Sequence, residues 1–272
     1  MLPTIRLALE VPEKTLIQYV AEFWLPDSPY AKECAQVKKK PLSTGYIKLH
    51  HEDVKRHIEP FPGFRGVMLR DLTAGKIRDW MTWAVEKGLS GRRINTVLQS
   101  MRIAVRYAVA REELGRDPFK NIGEVDEQPR EKGVLTPREV SALIQSPMKD
   151  PRTRLAVLLG MLCGLRRGEV RGLLWEDIDP EAGMIHIQHN WQDGEGMKAP
   201  KCKGGAMREN KRTVPLPSSV TAAVEAVRQI SRNPAPDHFV FEGMYRPGEP
   251  LGNNFFRRAL TTELLAIGIN KV

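Results

Sequence analysis

The run Cys163-Gly164-Leu165-Arg166-Arg167-Gly168-Glu169 carries the side chains with the sharpest chemistry in the chain. It lies between an almost wholly apolar stretch, RLAVLLGMLCGL, and one that ends in Trp175-Glu176-Asp177-Ile178-Asp179. An arginine at such a corner can be partly buried and still aim its planar fork at a phosphate, meeting two oxygens at once. The same spacing suits a plain helix-turn-helix corner, in which Gly164 and Gly168 permit a tight backbone and an arginine pairs with Glu169. Spacing alone leaves both readings open.

Other groupings point less sharply. Glu176, Asp177 and Asp179 have the composition of a nuclease-type carboxylate set, but an acidic turn closing a helix before a hairpin has it too, and that reading is adopted. His186 and His189 stand three apart on a predicted strand, so their side chains face opposite ways and a shared metal ion is not expected. No G-x-x-x-x-G-K-[ST] run is present to cradle a nucleotide. The three cysteines, Cys34, Cys163 and Cys202, are odd in number and lack C-x-x-C spacing, which argues against a disulfide framework or zinc knuckle. No cofactor or metal is expected.

The elements that must position the arginine corner follow from periodicity. In the first half, LIQYVAEFWL places Leu16, Tyr19, Val20, Phe23 and Trp24 at helical spacing, and IKLHHEDVKRHI does the same with Ile47, Val54 and Ile58 before Pro60. LTAGKIRDWMTWAVEKGLS reads as a helix capped by Thr73 and closed near Gly88, with Trp80 and Trp83 assigned to packing rather than base stacking. The longest periodic segment, GRRINTVLQSMRIAVRYAVAREELG, puts Ile94, Val97, Leu98, Met101, Val105 and Ala108 on one face. Arg92, Arg93, Arg102, Arg106 and Arg111 fall largely off it. Charge, glycine and proline crowd the stretch after residue 120, so the chain divides into a helical domain at 1–123, a linker at 124–135 and a mixed domain at 136–272.

Thr136, Pro137 and Glu139 open the second domain as cap, first-turn proline and capping-box glutamate. RLAVLLGMLCGL reads as a buried helix, GEVRGLLWEDID as a second, and MIHIQHNW alternates as a strand. RTVPLP is a short second strand, SSVTAAVEAVRQI a helix capped near Ser218 or Ser219, HFVF a short strand or buried turn, and NNFFRRALTTELLAIG a closing helix. The predicted fold class is mainly α with a small antiparallel β-hairpin or sheet.

The 272 residues are 41% hydrophobic and 28% charged, which excludes wholesale disorder, and their net charge of +9 suits a polyanionic partner such as nucleic acid. The opening MLPTIRLALEVPEKT breaks its apolar residues with Pro3, Arg6, Glu10 and Pro12, so it carries no signal-peptide core. No window approaches the ~18 apolar residues of a membrane helix. A soluble cytoplasmic protein is expected, without a membrane partner. Candidate phosphate contacts are Lys38-Lys39-Lys40, Arg92-Arg93 with Arg102 and Arg106, and the loop from Lys198 to Lys211. Each of these also suits a solvated face.

The segment C-G-L-R-R-G-E-V-(x)4-W-E-D-I-D, followed by an alternating strand, a lysine-bearing loop and R-T-V-P-L-P, resembles the catalytic domain of tyrosine recombinases of the phage-integrase type. Cys163 stands where that family commonly has threonine. The run from LTAGKIRDW to LGRDPFKNI, with its ending A-x-x-x-x-x-L-x-x-(D/N)-P, is similar to the family's helical core-binding domain, so the resemblance spans nearly the whole chain. It implies strand cleavage through a 3′-phosphotyrosyl link, with no metal or ATP, and side chains that stabilise the phosphoryl transition state and protonate the leaving 5′-hydroxyl. Arg166 matches the first catalytic arginine and Lys201 the hairpin lysine that acts as general acid, with Lys203 a rival and Lys211 a weaker one. Lys38, Lys39, Lys40, Arg92, Arg93 and Lys203 are the expected DNA-binding residues. A clamp of two domains around double-stranded DNA at a core or attachment site, and an oligomer on DNA in the full-length parent, are likewise implied.

The family also requires a His-x-x-Arg motif, a further His or Trp, and a nucleophilic tyrosine. None of His50, His51, His57, His186, His189 and His238 is followed by arginine three positions later, and Tyr245 lies in a Gly/Pro-rich turn before the closing helix. The expectation is therefore a C-terminally truncated integrase whose second domain is a partial catalytic domain, able to bind DNA but not to cleave it alone. The alternative is a non-enzymatic DNA-binding protein or decayed prophage remnant that occupies integration sites.

Overall fold

The computed structural model describes residues 13–127, 133–200, 211–244, 246 and 248–271. The chain divides into two compact units, 1–130 and 131–272. The first is helical: α1 (Leu16–Phe23), α2 (Pro29–Gln36), α3 (Thr44–Asp53), α4 (Ala74–Glu86) and α5 (Gly91–Ala110). Each helix opens the same way, with the side chain of Thr15, Ser28, Ser43, Thr73 or Ser90 accepting a hydrogen bond from a backbone N–H in the first turn. α2 was not expected from periodicity, although Ser28-Pro29 is a cap followed by a first-turn proline. α3 runs on as a π-helical turn over Val54–Ile58, so the predicted helix through Ile58 is present but widens at its end.

The core of this unit forms on the α5 stripe as predicted: Ile94, Val97, Leu98, Met101, Val105 and Ala108 are all buried, against Trp24, Trp80, Phe64 and Leu16. Large side chains of this kind each contribute about 1.5–3 kcal/mol by leaving water. Both buried indoles also place their N–H, Trp24 on the Ser100 carbonyl (3.1 Å) and Trp80 on the His57 carbonyl (2.7 Å). The first residues of the predicted linker make side-chain contacts with α5. Asn95 of α5 donates to the Val125 carbonyl (2.9 Å) and accepts from the Val125 N–H (2.8 Å), so residues 124–127 are tied to the first unit by a side chain no local pattern reveals.

The second unit holds α6 (Pro137–Gln145), α7 (Pro151–Leu162), α8 (Arg167–Arg171), β1 (Ile178–Asp179), β2 (Met184–Ile187), β3 (Asn190–Gln192), β4 (Gly196–Lys198), β5 (Arg212–Pro215), α9 (Ser218–Ile230) and α10 (Asn253–Ala266). β1, β2 and β5 form an antiparallel sheet in the order β1-β2-β5, and β3 pairs with β4 as a separate hairpin. The predicted single strand MIHIQHNW is thus two strands. The break falls at Gln188 and His189, whose side chains turn onto the two oxygens of buried Asp177 at 3.2 and 3.1 Å.

Asp177 explains a second difference. The expected helix GEVRGLLWEDID stops at Gly172, because the Asp177 carboxylate accepts from the Leu174 N–H (2.9 Å) while the Trp175 N–H goes to the His238 carbonyl (3.0 Å). The acidic turn is therefore a structural staple. The Thr136 and Glu139 capping box is present. α9 begins at Ser218 but is capped by Pro217, and neither serine makes the expected side-chain cap. Along HFVF, Phe239, Val240 and Phe241 are buried in a turn. α7 is not buried all round: Ala156, Gly160 and Met161 line a cavity of about 410 Å3 shared with Leu260 and Phe256 of α10.

Candidate functional site

Arg166 sits at the N-cap of α8, directly after a turn built on Gly164, whose φ of +66° favours glycine. Cys163 closes α7, and its thiol donates to the Pro215 carbonyl at 3.7 Å while burial pushes its pKa up, so it is a packing group at this corner. α8 is seated on β3 by two glycines one turn apart. A Cβ at Gly172 would stand 3.0 Å from the Trp191 nitrogen and 3.1 Å from that of Asn190, and one at Gly168 would collide with the Asn190 side chain. Arg171, also on α8, points inward and donates to the Leu251 carbonyl (2.8 Å) and Asp193 (2.7 Å).

At the centre is Glu169, 1% exposed, whose carboxylate takes four hydrogen bonds. Oε1 accepts from Arg166 Nη1 at 3.0 Å and Arg212 Nη1 at 2.9 Å, and Oε2 from the Arg166 backbone N–H at 2.8 Å and Arg212 Nη2 at 2.7 Å. Burial pushes this carboxyl up, but the Arg212 and Arg166 bonds outweigh it and the net pKa is lowered; the same pairing raises that of Arg212. Glu169 is thus a carboxylate that two guanidiniums share. The Arg166 side chain remains 58% exposed, and its Nε and Nη2 make no hydrogen bond to the described residues. That outer edge, on a site with surplus positive charge, is suited to a phosphate or another oxyanion. The two readings of the arginine corner therefore coexist: one edge pairs with Glu169 and the other faces solvent.

The predicted lysines divide differently. Lys201 and Lys203 lie outside the described residues, as does Tyr245, while Lys211 is exposed directly before β5. Lys38 leaves the end of α2 and pairs with Glu33 at 2.9 Å, which raises its pKa; Lys39, at φ 51°, and Lys40 are exposed beside it. Arg92 is exposed in the first turn of α5. Arg93 is turned inward onto Asp53, with its Nε at 3.3 Å from His57 Nε2. Arg102 donates to the Ile122 carbonyl (3.2 Å) and Arg106 to Asp117 (3.0 Å). Of the α5 arginines off the apolar face, these three serve their own unit. His186 bonds Thr213 across the sheet (3.1 Å) and His189 bonds Asp177, so the two histidines do not share a site. No group of three metal-ligating side chains occurs among the described residues.

Asp53 is a second buried carboxylate, 0% exposed. The Ser100 hydroxyl donates to it at 2.8 Å, and His50 Nδ1 lies 2.6 Å from that hydroxyl, so a neutral His50 carries its proton on Nδ1. Burial lowers the His50 pKa, and Arg93 adds to this against the pull of Asp53. His50 also stacks on Trp24, ring centroids 4.2 Å apart.

The residue that sequence reasoning missed is Arg212. Its place in the sequence marks it only as the start of a strand, and its partner Glu169 lies 43 positions away. An arginine opening the strand that pairs with β2 was the available signal, but only the sheet register shows that it reaches α8.

Comparison with known proteins agrees with this architecture. The chain is 26% identical over 195 residues to the ICEBs1 integrase of Bacillus subtilis (strain 168), an alignment covering 70% of this chain and 51% of that protein. It spans about half the length of that relative. Among solved structures, the Tn1549 transposon integrase in complex with a circular intermediate DNA superposes with a TM-score of 0.66 at 21% identity, covering 93% of this chain and 79% of that one. The lambda integrase tetramer bound to a Holliday junction gives 0.66 at 16%, covering 95% and 65%. Among the described residues no helix is long and apolar enough to cross a membrane. The phage integrase family profile matches residues 133–272, more than half of the sequence, and with the recombinase fold around Arg166 it places the chain in the phage integrase family of tyrosine recombinases.

Proposed function

We propose that this chain forms the DNA-binding and phosphate-holding part of a tyrosine-type site-specific recombinase. The observation that carries this reading is the Arg166 corner: a guanidinium fixed on one edge by a buried carboxylate and open on the other, at the position the family uses for its first catalytic arginine. In phosphoryl transfer, charge builds on the equatorial oxygens, and a donor already oriented toward them stabilises the transition state without reorganising. The exposed cations Lys39, Lys40 and Arg92 add sequence-independent contacts to the duplex backbone, and Lys201 or Lys203 is the proposed general acid. As in the lambda integrase tetramer on its junction, assembly would occur on DNA. We further propose that these 272 residues by themselves bind duplex DNA without cleaving it.

The test is a fluorescence anisotropy titration with a mixed-sequence duplex across a salt series. Binding should weaken steeply with salt, and Arg166→Ala should reduce the log–log slope by about 1. An unchanged slope would remove Arg166 from the phosphate. On nicked duplexes, denaturing gels should show no covalent adduct, and an adduct would overturn the inert assignment. Fused to a relative's His-x-x-Arg and tyrosine segment, the chain should cleave, and Arg166→Ala in that fusion should abolish cleavage while binding persists. A second reading is a non-enzymatic occupant of integration sites. That reading requires a discrete footprint on one sequence rather than uniform protection.

A further inference from the structure

We propose that Arg212 is a positioning residue for Arg166: from the first residue of β5 it holds the Glu169 carboxylate in the orientation that leaves the outer edge of Arg166 facing solvent. The proposal rests on reading Arg166 as the phosphate-holding group. Its physical basis is the sharing of one buried anion. Glu169 is 1% exposed, and Arg166, 58% exposed and held through a single guanidinium nitrogen, is a weak counter-ion for it. Arg212 supplies the stronger hold, two parallel bonds of 2.9 and 2.7 Å.

The backbone fixes Arg212 in turn. Its Cα pairs with Ile187 in the β2–β5 register, and Ile187 is buried, so the side chain leaves the sheet at a set height. Its Nη2 also reaches the Gly164 carbonyl at 3.4 Å, touching the turn that precedes Arg166. Without Arg212 the carboxylate keeps only the bonds from Arg166. It then either takes up a proton or rotates toward water, and in both cases the Arg166 fork loses its fixed edge.

The test uses Arg166→Ala, Arg212→Ala, Arg212→Lys and the Arg166→Ala/Arg212→Ala double variant of the full 272-residue chain. The NMR signal of the Arg166 Nη1–H that bonds Glu169 is identified as the one absent from Arg166→Ala. In Arg212→Ala its hydrogen exchange should accelerate at least about tenfold, and Arg212→Lys should restore part of the protection, because the charge and one bond survive. On duplex DNA, Arg166→Ala and Arg212→Ala should each weaken binding about tenfold, and the double variant no more than about twofold further. An Arg166 signal unchanged in Arg212→Ala with dispersed amide resonances overturns the proposal. If Arg212→Ala fails to fold, the lysine variant decides, since unaltered Arg166 exchange there overturns it equally. If Arg166→Ala leaves DNA affinity unchanged while its signal still responds to Arg212, the phosphate reading fails and the positioning role stands.

Discussion

Asp53 in the helical unit and Glu169 in the mixed unit are both buried carboxylates that hold arginines, yet they leave opposite surfaces. Asp53 takes Arg93 as an ion-pair partner and the Ser100 hydroxyl as a second donor, and the Arg93 side chain is drawn in to 31% exposure. The pair is neutral and spends its charge on tying α3 to α5. Glu169 is shared by Arg166 and Arg212, so one positive charge remains uncompensated and the more exposed guanidinium carries it outward. An arginine is available to a phosphate only when its carboxylate has another cation to rely on. A buried carboxylate stands at both places; the number of guanidiniums per anion differs.

The largest test of this contrast is Asp53→Ala, which strands Arg93 and Ser100 and should cost about 3–5 kcal/mol of stability in urea denaturation of the helical unit. The companion Asp53→Leu/Arg93→Met should recover most of it, because an apolar pair of similar volume has no charge to desolvate. A loss of DNA affinity exceeding the loss of stability would erase the distinction drawn between the two carboxylates. Glu169→Gln comes next, at about 2–3 kcal/mol in the mixed unit, since both guanidiniums lose an ionised acceptor. The folded pKa of Glu169 is depressed. Its contribution is therefore full above the unfolded value of about 4.3 and lost as pH falls through the folded one, so Glu169→Gln should flatten the acid limb of a stability–pH curve.

Gly172→Ala should cost about 1–2 kcal/mol, because the added methyl meets the β3 backbone and α8 must lift from it. Its DNA affinity should fall along with its melting temperature, whereas a variant that melts lower but binds normally would show that the seat of α8 does not orient Arg166. The smallest expected effect is on the Asp53 side. His50 has a depressed folded pKa and faces Ser100, Asp53 and Arg93. Its stabilising contribution is complete above the unfolded value of about 6.5 and is lost as pH falls below it. The urea midpoint followed by tryptophan fluorescence should drop between about pH 7.5 and about pH 5.5, and His50→Asn should reduce that drop, the remainder belonging to His57, whose pKa burial and Arg93 also lower. An identical drop in the variant would place the titrating group elsewhere.

Much of this protein was legible in its sequence. The α5 stripe from Ile94 to Ala108, the Thr73 and Thr136 caps, the Arg212–Pro215 strand and the motif that places Arg166 depend on local spacing, which period and cap chemistry encode directly. Features set by one buried acid were not legible. Asp177 ended a predicted helix and split a predicted strand by drawing Leu174, Gln188 and His189 onto one carboxylate. Asn95 held residues of the expected linker against α5. Asp53 turned Arg93 inward, while Glu169 joined Arg166 to Arg212. The sequence alone determined most of the helices and which arginine the family motif marks. Only the tertiary structure decided which cations remain outward, because a buried carboxylate must be satisfied by whatever donors the fold brings within about 3 Å, however far apart they lie in the chain.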